Sequence, residues 1–277
     1  MKPTILSFKF TISALAFLLC LFTQFRGFAQ VRFKRISPEV QTISDNQIIV
    51  NQLGYGVSLP SGTFTRDGKK WFPPLETIFY GFGNALSYVV CQGDSGFWAG
   101  LNSTDNSQKR IWKSSNGGKN WVEMTQQKII RPSFRNQQDG LAIKDSFLTG
   151  LLHQHTLVQT TNGGNSWIPL PLQITTQSHE FMPSVSSPDG THILAAFYNF
   201  ILQSQNGGLT WDTVSRGTNF KEVTLLSSGF GYAYTDSAIH FTNNFGAVWT
   251  RKPFRNSLDK VQFLNPMKGW VSQLEKP

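Results

Sequence analysis

Cysteine is scarce in this sequence, and its scarcity excludes two ways of stabilising an exported protein. Only Cys20 and Cys91 occur among 277 residues, and Cys20 lies in an N-terminal segment that we expect to be removed. The remaining chain then forms no intrachain disulfide and no cysteine metal cluster. We therefore expect a fold stabilised by a buried apolar core, which a chain of this length can supply.

Acidic side chains are also few. The sequence has 16 aspartates and glutamates against 25 lysines and arginines, which gives a formal net charge of +9. The first 29 residues contain three bases and no acid, so their removal lowers +9 to +6. Such an excess favours weak attraction to anionic partners. The basic residues do not form a run interleaved with aromatic residues, so we predict no nucleic-acid partner.

Long hydrophobic runs are absent outside the N-terminus. Residues 12–22 form an apolar run of 11 residues, about half of the roughly 20 that a membrane-spanning helix needs. Lys2 and Lys9 give a basic start, and Gly27 and Ala29 supply the small residues of a cleavage site. We predict a cleaved signal peptide over residues 1–29. The mature chain is then exported to the periplasm, the cell surface or the extracellular space, with no transmembrane segment.

An octapeptide with a fixed pattern recurs along the chain. Full copies span residues 114–121, 160–167 and 204–211, a weaker copy spans 242–249, and a copy one residue shorter spans 65–71. Their tryptophans lie 38 to 50 residues apart, which is the length of a four-stranded blade. The repeated positions are Asp67, Trp71, Asn116, Gly118, Trp121, Asn162, Gly164, Trp167, Asn206, Gly208, Trp211, Asn244, Gly246 and Trp249.

Each repeated residue type has a structural task in a tight turn. Asparagine and aspartate accept backbone N–H groups within a turn. Glycine adopts positive φ without steric cost. Tryptophan buries a large apolar surface while its N–H can still find a partner. The octapeptide therefore predicts a β-hairpin whose turn is held by its own side chains, and it carries no catalytic group.

A second pattern, out of phase with the first, supplies the other strands of each repeat. A glycine followed by an apolar or aromatic residue recurs five times, as in Gly231-Tyr232 and Gly269-Trp270, and a sixth, looser copy lies around Gly190. Apolar residues alternate before it, which is typical of strands joined by turns. Four strands per repeat predict an all-β fold, a β-propeller of four-stranded blades.

The blade count has two solutions because the last repeat is unfinished after Gly269. In the first, residues 47–277 form six blades, and residues 30–46 close the ring by joining the incomplete last blade through Val31, Phe33 and Ile36. In the second, the chain is a truncated seven-bladed propeller. We favour six blades, because an open ring would expose strand edges.

The octapeptide resembles the Asp-box, or BNR, repeat of sialidases and of the sortilin ectodomain. Combined with Gly269-Trp270-Val271 it is most similar to propellers of the photosystem II stability and assembly factor type. That resemblance covers residues 47–273 and implies a propeller that acts as an assembly scaffold. It does not imply photosystem work, because a shared fold does not imply a shared function.

Resemblance to sialidases implies a glycoside hydrolase as one alternative. Their chemistry needs three arginines on the substrate carboxylate, a tyrosine–glutamate pair and an aspartic acid. In this sequence Arg35-Ile36-Ser37-Pro38 departs from their Arg-Ile-Pro signature by one inserted serine, and no glutamate is adjacent to a tyrosine. An enzyme of this class would bring together arginines from the set Arg35, Arg110, Arg131, Arg135, Arg216, Arg251 and Arg255.

A metal site is a second candidate. His153 and His155 lie on the same side of an extended strand. Zinc needs a third protein ligand, and the sequence does not indicate one. We predict no cofactor and no metal.

A binding face is the third candidate. Alternating strands place the Asp boxes on one face of the propeller and the connectors between blades on the other. One connector is basic, and we predict a possible anion-binding patch there, formed by Arg251, Lys252, Arg255 and Lys260. The sequence thus predicts an exported, non-catalytic scaffold for an unknown protein or glycan partner. The alternatives are a sialidase-like glycoside hydrolase and a fragment of a larger cell-surface adhesin.

Overall fold

The computed structural model describes a chain made of short strands. It covers residues 4–9, 32–36, 47–50, 56–59, 63–65, 70–72, 85–93, 95–102, 109–124, 128–149, 152–177, 183–217, 219–255 and 257–274, with side chains mainly between residues 90 and 271. These residues include no α-helix, and therefore no helix long and apolar enough to cross a bilayer.

In chain order the strands are β1 (Thr4–Lys9), β2 (Arg32–Ile36), β3 (Gln47–Val50), β4 (Gly56–Leu59), β5 (Thr63–Thr65), β6 (Trp71–Phe72), β7 (Ala85–Gln92), β8 (Gly96–Asn102), β9 (Lys109–Ser114), β10 (Val122–Glu123), β11 (Ile129–Phe134), β12 (Gly140–Phe147), β13 (His153–Thr160), β14 (Ile168–Thr176), β15 (Ser184–Ser186), β16 (Ile193–Phe197), β17 (Phe200–Ser204), β18 (Asp212–Arg216), β19 (Glu222–Leu225), β20 (Gly231–Tyr234), β21 (Ala238–Thr242), β22 (Thr250–Pro253), β23 (Ser257–Asn265) and β24 (Lys268–Leu274).

The strands pair in antiparallel sheets of four. Five sheets follow chain order: blade A (β3–β6), blade B (β7–β10), blade C (β11–β14), blade D (β15–β18) and blade E (β19–β22). The first strands of successive blades lie beside one another, from β3 and β7 through β11 and β15 to β19. This arrangement, with first strands innermost, confirms the predicted all-β propeller.

The core lies between successive blades, because both faces of the inner strands are buried. In β12, Ala142 packs against blade B while Ile143 packs against blade D. Representative pairs across the four interfaces from blade B onward are Trp98 with Val158, Leu157 with Ile193, Ile201 with Val223, and Ile239 with Val261.

The remaining sheet joins the two ends of the chain. Its order is β2-β1-β24-β23, with β1 antiparallel to both β24 and β2. The N-terminal segment 30–46 thus contributes β2 to the sheet of β23 and β24, although β1 lies between. β1 falls within the predicted signal peptide, and cleavage after residue 29 would remove it. Whether the ring has six or seven blades stays a prediction.

Hydrogen bonds within each of the four described Asp boxes close its turn. In blade D the Ser204 hydroxyl donates to Asn206 Oδ1 (3.0 Å) and accepts from the Gly208 N–H (2.9 Å). Asn206 Oδ1 accepts from the Thr210 N–H (2.9 Å), and Trp211 Nε1 donates to the Gly208 carbonyl (3.0 Å). The first three bonds recur around Asn116, Asn162 and Asn244.

The fourth residue of each box ties two turns of its own blade together. Its N–H donates to a carbonyl in the turn between the first and second strands, in the pairs Gly117 with Ser95, Gly163 with Gln138, Gly207 with Thr191, and Phe245 with Gly229. Both kinds of turn therefore lie on one face, the Asp-box face. The turns between second and third strands, with the links between blades, lie on the opposite face, the connector face.

Side chains of the preceding blade hold the same residue from the other side. In blade B, Lys113 Nζ donates to the Gly163 carbonyl of blade C (2.7 Å), and Gln92 Nε2 approaches that carbonyl at 3.2 Å. In blade D, Gln203 Nε2 donates to the Phe245 carbonyl of blade E (2.7 Å). The Asp-box turns thus link neighbouring blades as well as closing hairpins.

The last complete box departs from the pattern at its fourth residue. Phe245 has a φ of 58°, in the left-handed region that Gly117, Gly163 and Gly207 occupy at the same position. This conformation is strained for a side chain with a Cβ. The Phe245 ring stacks on His192 at 4.1 Å between centroids, a contact that glycine could not make.

Two predicted positions of the shorter Asp box cannot be compared in full. Asp67 lies outside the described residues, and for Trp71 only the strand is described.

Cys91 is a free thiol in β7, and burial raises its pKa to about 12. Such a thiol stays protonated, and therefore unreactive, at neutral pH.

Alanine substitutions of two Asp-box glycines distinguish the cost of backbone strain from the cost of a steric clash. Gly164 and Gly207 both have positive φ. A Cβ on Gly164 would collide with the buried ring of Trp98, whereas a Cβ on Gly207 meets nothing closer than 3.4 Å. We expect Gly207→Ala to lower the free energy of unfolding by about 1 kcal/mol, through backbone strain alone. Gly164→Ala should lower it by about 1–3 kcal/mol more, through overpacking.

Urea unfolding of both variants beside the parent chain measures this difference. Equal losses in the two variants would show that the box of blade C does not pack against Trp98 as described.

Candidate functional site

A cluster of ionisable side chains lies where three first strands begin, on the connector face near the axis. It consists of Arg131 from β11, Lys221 and Glu222 at the start of β19, Tyr234 at the end of β20, and Lys260 from β23. We call it the mouth cluster. The connectors enter the blades here, so the cluster joins blades C and E with the sheet of β23.

Glu222 is the centre of the mouth cluster. Its Oε2 accepts a hydrogen bond from Lys260 Nζ at 2.7 Å. It pairs with Tyr234 in the register of β19 and β20, and the Tyr234 side chain hydrogen-bonds to it. Burial alone would raise the pKa of Glu222, but the charges of Lys260 and Arg131 and the two hydrogen bonds hold it below 4.5. Glu222 is therefore a carboxylate at neutral pH.

Arg131 reaches across the first strand of blade D. Its Nη1 donates to the Lys221 carbonyl at 2.5 Å, from blade C to the edge of blade E. The residue has a φ of 40° at an irregularity in the pairing of β11 with β12, which redirects the strand there. Its buried Nε has no hydrogen-bond partner among the described residues. Arg131 thus supplies positive charge to Glu222 without forming a direct ion pair with it.

Lys221 also has bonding partners within the protein. Its Nζ lies 2.6 Å from Asp236 Oδ1 and donates to the Leu258 carbonyl at 2.7 Å. Each of the three bases at the mouth therefore has a partner in the protein, so the cluster is largely neutralised from within.

Tyr234 has the wrong surroundings for a nucleophile. Its residue is 2% exposed. Burial raises its pKa well above 10, and the negative charge of Glu222 raises it further. The phenol consequently holds its proton, and a substrate could not reach its oxygen without a rearrangement of the strands.

The two histidines lie on the connector face of blade C and share one carboxylate. Asp145 Oδ1 lies 3.0 Å from His153 Nδ1 and 3.6 Å from His155 Nδ1. The hydroxyl of Thr176 lies 2.9 Å from His155 Nε2. Within the described part of the chain, no group of three histidine, cysteine, aspartate or glutamate side chains is arranged to hold a metal ion.

The arginines named for a glycoside hydrolase lie in different parts of the structure. Arg131 is at the mouth, whereas Arg135 lies on the Asp-box face and pairs with Asp139 at 3.2 Å. Arg216 and Arg251 are exposed on β18 and β22, the outermost strands of their blades, and Arg255 is exposed after β22. Arg35 and Arg110 lie on strands whose side chains there are not described.

The basic patch proposed from the sequence is divided between elements. Arg251 and Lys252 belong to β22, Arg255 to the connector and Lys260 to β23. Lys260 is bound to Glu222. Burial lowers the pKa of Lys252. Anion binding by this set stays a prediction.

Sequence reasoning missed the Tyr234–Glu222 pair because it examined only adjacent residues. A signal was present: a hairpin turning at 226–230 places residue 222 opposite 234, as the strands in fact pair. The contribution of Arg131 had no such signal, because it depends on which blades surround the axis.

Neutralising Glu222 tests the electrostatics of the mouth. We expect Glu222→Gln to lower the free energy of unfolding at pH 7 by about 2 kcal/mol, because Lys260 loses its partner. The pKa of Glu222 is depressed in the folded chain, so its contribution is complete above 4.5 and disappears as the pH falls through the folded value. The parent and the variant should therefore converge in acid.

Denaturant unfolding at a series of pH values measures this convergence. Asp212→Asn is the matched control, because that exposed carboxylate forms no ion pair with a described residue. A constant difference between parent and Glu222→Gln at every pH would contradict the account.

Solved structures share the architecture at low sequence identity. The gluconolactonase XC5397 of Xanthomonas campestris is 8% identical over 80% of this chain and 83% of its own, with a TM-score of 0.50. YCF48 of Cyanidioschyzon merolae is 16% identical over 79% of this chain and 76% of its own, with a TM-score of 0.47. The Hadza microbial sialidase is 11% identical, with a TM-score of 0.47, and matches 81% of this chain but 60% of its own.

At these identities the likeness shows the fold alone. The sequence matches no protein-family model, and a search of curated proteins finds no match. The repeated turns and the blades they close show the architecture: this chain is a β-propeller whose hairpins close with turns of the Asp-box pattern.

Proposed function

We propose that this chain is an exported, non-catalytic propeller that acts as a binding scaffold for a protein or glycan partner. One observation carries the proposal: each base at the mouth of the axis is bonded to another group of the protein. Lys260 is bound to Glu222, Lys221 to Asp236, and Arg131 to a backbone carbonyl. Catalytic groups have to face the substrate, whereas these groups face partners in neighbouring strands and blades.

A scaffold needs a rigid surface rather than reactive side chains. The Asp-box face supplies rigidity, because its turns are bonded within and between blades. The connector face is free of those constraints and carries the links and turns through which propellers usually bind their ligands. This division supports recognition through the connector face.

The sialidase-like alternative rests on one specific observation. Tyr234 and Glu222 form the tyrosine–glutamate pair that such an enzyme requires, and Arg131 contributes charge to it. Three features oppose it: the tyrosine is buried, Lys260 occupies the carboxylate, and the other arginines with described side chains lie elsewhere. Catalysis by this pair would require the strands around the mouth cluster to move apart, so that a substrate could reach Tyr234 and Glu222.

Export is proposed from the basic, apolar N-terminal segment of residues 1–29. The adhesin alternative adds an anchoring domain encoded beyond Pro277, and sequencing the gene past that codon distinguishes it.

Hydrolysis assays test the non-catalytic part of the proposal. We expect the purified chain to release no fluorophore from a 4-methylumbelliferyl sialoside, and to open a sugar lactone no faster than buffer does. Tyr234→Phe and Glu222→Gln serve as matched variants. Hydrolysis by the parent that both variants abolish, at folded-state levels shown equal by circular dichroism, would overturn the scaffold in favour of an enzyme.

Site-specific photo-crosslinking tests the binding part. A photoreactive residue at Tyr198, on the connector face, should give crosslinks to an envelope or secreted component of the producing cell. The same residue at the exposed Leu209, in the Asp box of the same blade, should not. Crosslinks from Leu209 with none from Tyr198 would contradict recognition through the connector face.

A further inference from the structure

Three large apolar side chains are exposed on the connector face of two neighbouring blades. Phe147 is 60% exposed and Leu148 44%, at the turn between the second and third strands of blade C. Tyr198 is 38% exposed at the equivalent turn of blade D. Other exposed apolar residues such as Val122 and Ile168 begin fourth strands, at the Asp-box end of the outer edge.

A chain of ring contacts joins the two turns across the blade boundary. Phe147 meets His153 edge-on at 5.6 Å between centroids, and His153 stacks on His155 at 6.3 Å. His155 contacts Phe197 of blade D at 6.1 Å, and Phe197 precedes Tyr198. The two turns that carry the exposed groups are therefore packed together across the blade boundary.

The turn of blade C is held in place from beneath. Asp145 lies 3.0 Å from His153 Nδ1, and Thr176 fixes the ring of His155. The backbone closes the turn through the Leu148 N–H, which donates to the Leu152 carbonyl at 2.9 Å. A partner would thus meet a preformed surface and spend little free energy on ordering it.

Unpaired positive charge borders these apolar groups. Lys128 and Arg216 are exposed, and neither forms an ion pair with a described residue. The Asp145 N–H donates to the Lys128 carbonyl, which places Lys128 beside the turn of blade C. Arg216 pairs with Phe200, and the next N–H along the chain, that of Gly217, donates to the Asn199 carbonyl beside Tyr198. Asp145, the carboxylate at the base of the turn of blade C, is buried against the histidines.

We propose that this surface, the blade-boundary surface of Lys128, Phe147, Leu148, Tyr198 and Arg216, binds an acidic segment of a protein partner. The inference rests on the proposed scaffold function and names its partner class. An apolar centre containing aromatic groups, with a charged rim, is the composition of protein–protein interfaces. Carboxylates of the partner would complement the two bases, and its apolar side chains would cover Phe147, Leu148 and Tyr198.

Selection from a random 12-residue peptide library displayed on phage tests the proposal with the full chain as bait. Enriched peptides should carry net negative charge together with aliphatic or aromatic residues. Their affinity should fall at least ~10-fold for Phe147→Ser with Leu148→Ser, since central apolar contacts dominate binding. Lys128→Glu with Arg216→Glu should weaken binding by a similar factor and reduce its dependence on salt.

The matched control is Val122→Ser with Ile168→Ser, two exposed apolar residues at the Asp-box end of blades B and C. That variant should bind the selected peptides as the parent does. Loss of binding in the control, unchanged binding in both test variants, or enrichment of neutral or basic peptides would each overturn the proposal.

Binding of alginate, an acidic polysaccharide, is measured in parallel. It distinguishes failure of the protein-partner proposal from failure of the scaffold function. Alginate binding that depends on the blade-boundary surface, with no peptide enriched, would reject a protein partner while the scaffold function stands. Hydrolysis in the assays above would reject the scaffold function itself, whatever the peptides do.

Discussion

The fourth residue of each Asp-box turn is hydrogen-bonded through its N–H to a turn of its own blade. In two boxes its carbonyl is also bonded to a side chain of the blade before. In blade E this residue is Phe245, whose N–H meets the Gly229 carbonyl and whose carbonyl meets Gln203. Both groups would otherwise be unsatisfied at a packed boundary, at a cost of about 1–3 kcal/mol each. Phe245 makes both hydrogen bonds in the positive-φ conformation that its glycine counterparts share, strained as it is for phenylalanine.

This constraint divides the propeller into two unlike faces. The Asp-box face has a structural role, because its asparagines, serines and threonines form their hydrogen bonds within the turns. Different groups stabilise the connector face. The mouth cluster around Glu222 lies at its centre, and the contacts among Asp145, His153 and His155 lie farther out. Because these groups are also satisfied by one another, what remains for a partner on that face is an exposed apolar and basic surface.

Turn chemistry and strand spacing were enough to predict the all-β propeller, the four-stranded blades and the division into faces. Those features depend on local sequence: an Asn-Gly-Gly turn before Trp211 forms its bonds within eight residues. The mouth cluster could not be predicted in the same way, because Arg131 and Lys221 are 90 residues apart and meet only once the blades surround an axis. Phe245 also breaks the local rule, and only its contact with His192 accounts for it. Export and the blade count stay predictions.

Hydrogen–deuterium exchange on Gln203→Met tests most directly whether the boxes link neighbouring blades. Methionine keeps the length of the side chain and removes the donor to the Phe245 carbonyl. Faster exchange is predicted in the box of blade E, residues 242–249, while the box of blade D, residues 204–211, keeps its protection. Unchanged exchange in 242–249, or faster exchange confined to 204–211, would contradict the claim that Asp-box turns hold one blade to the next.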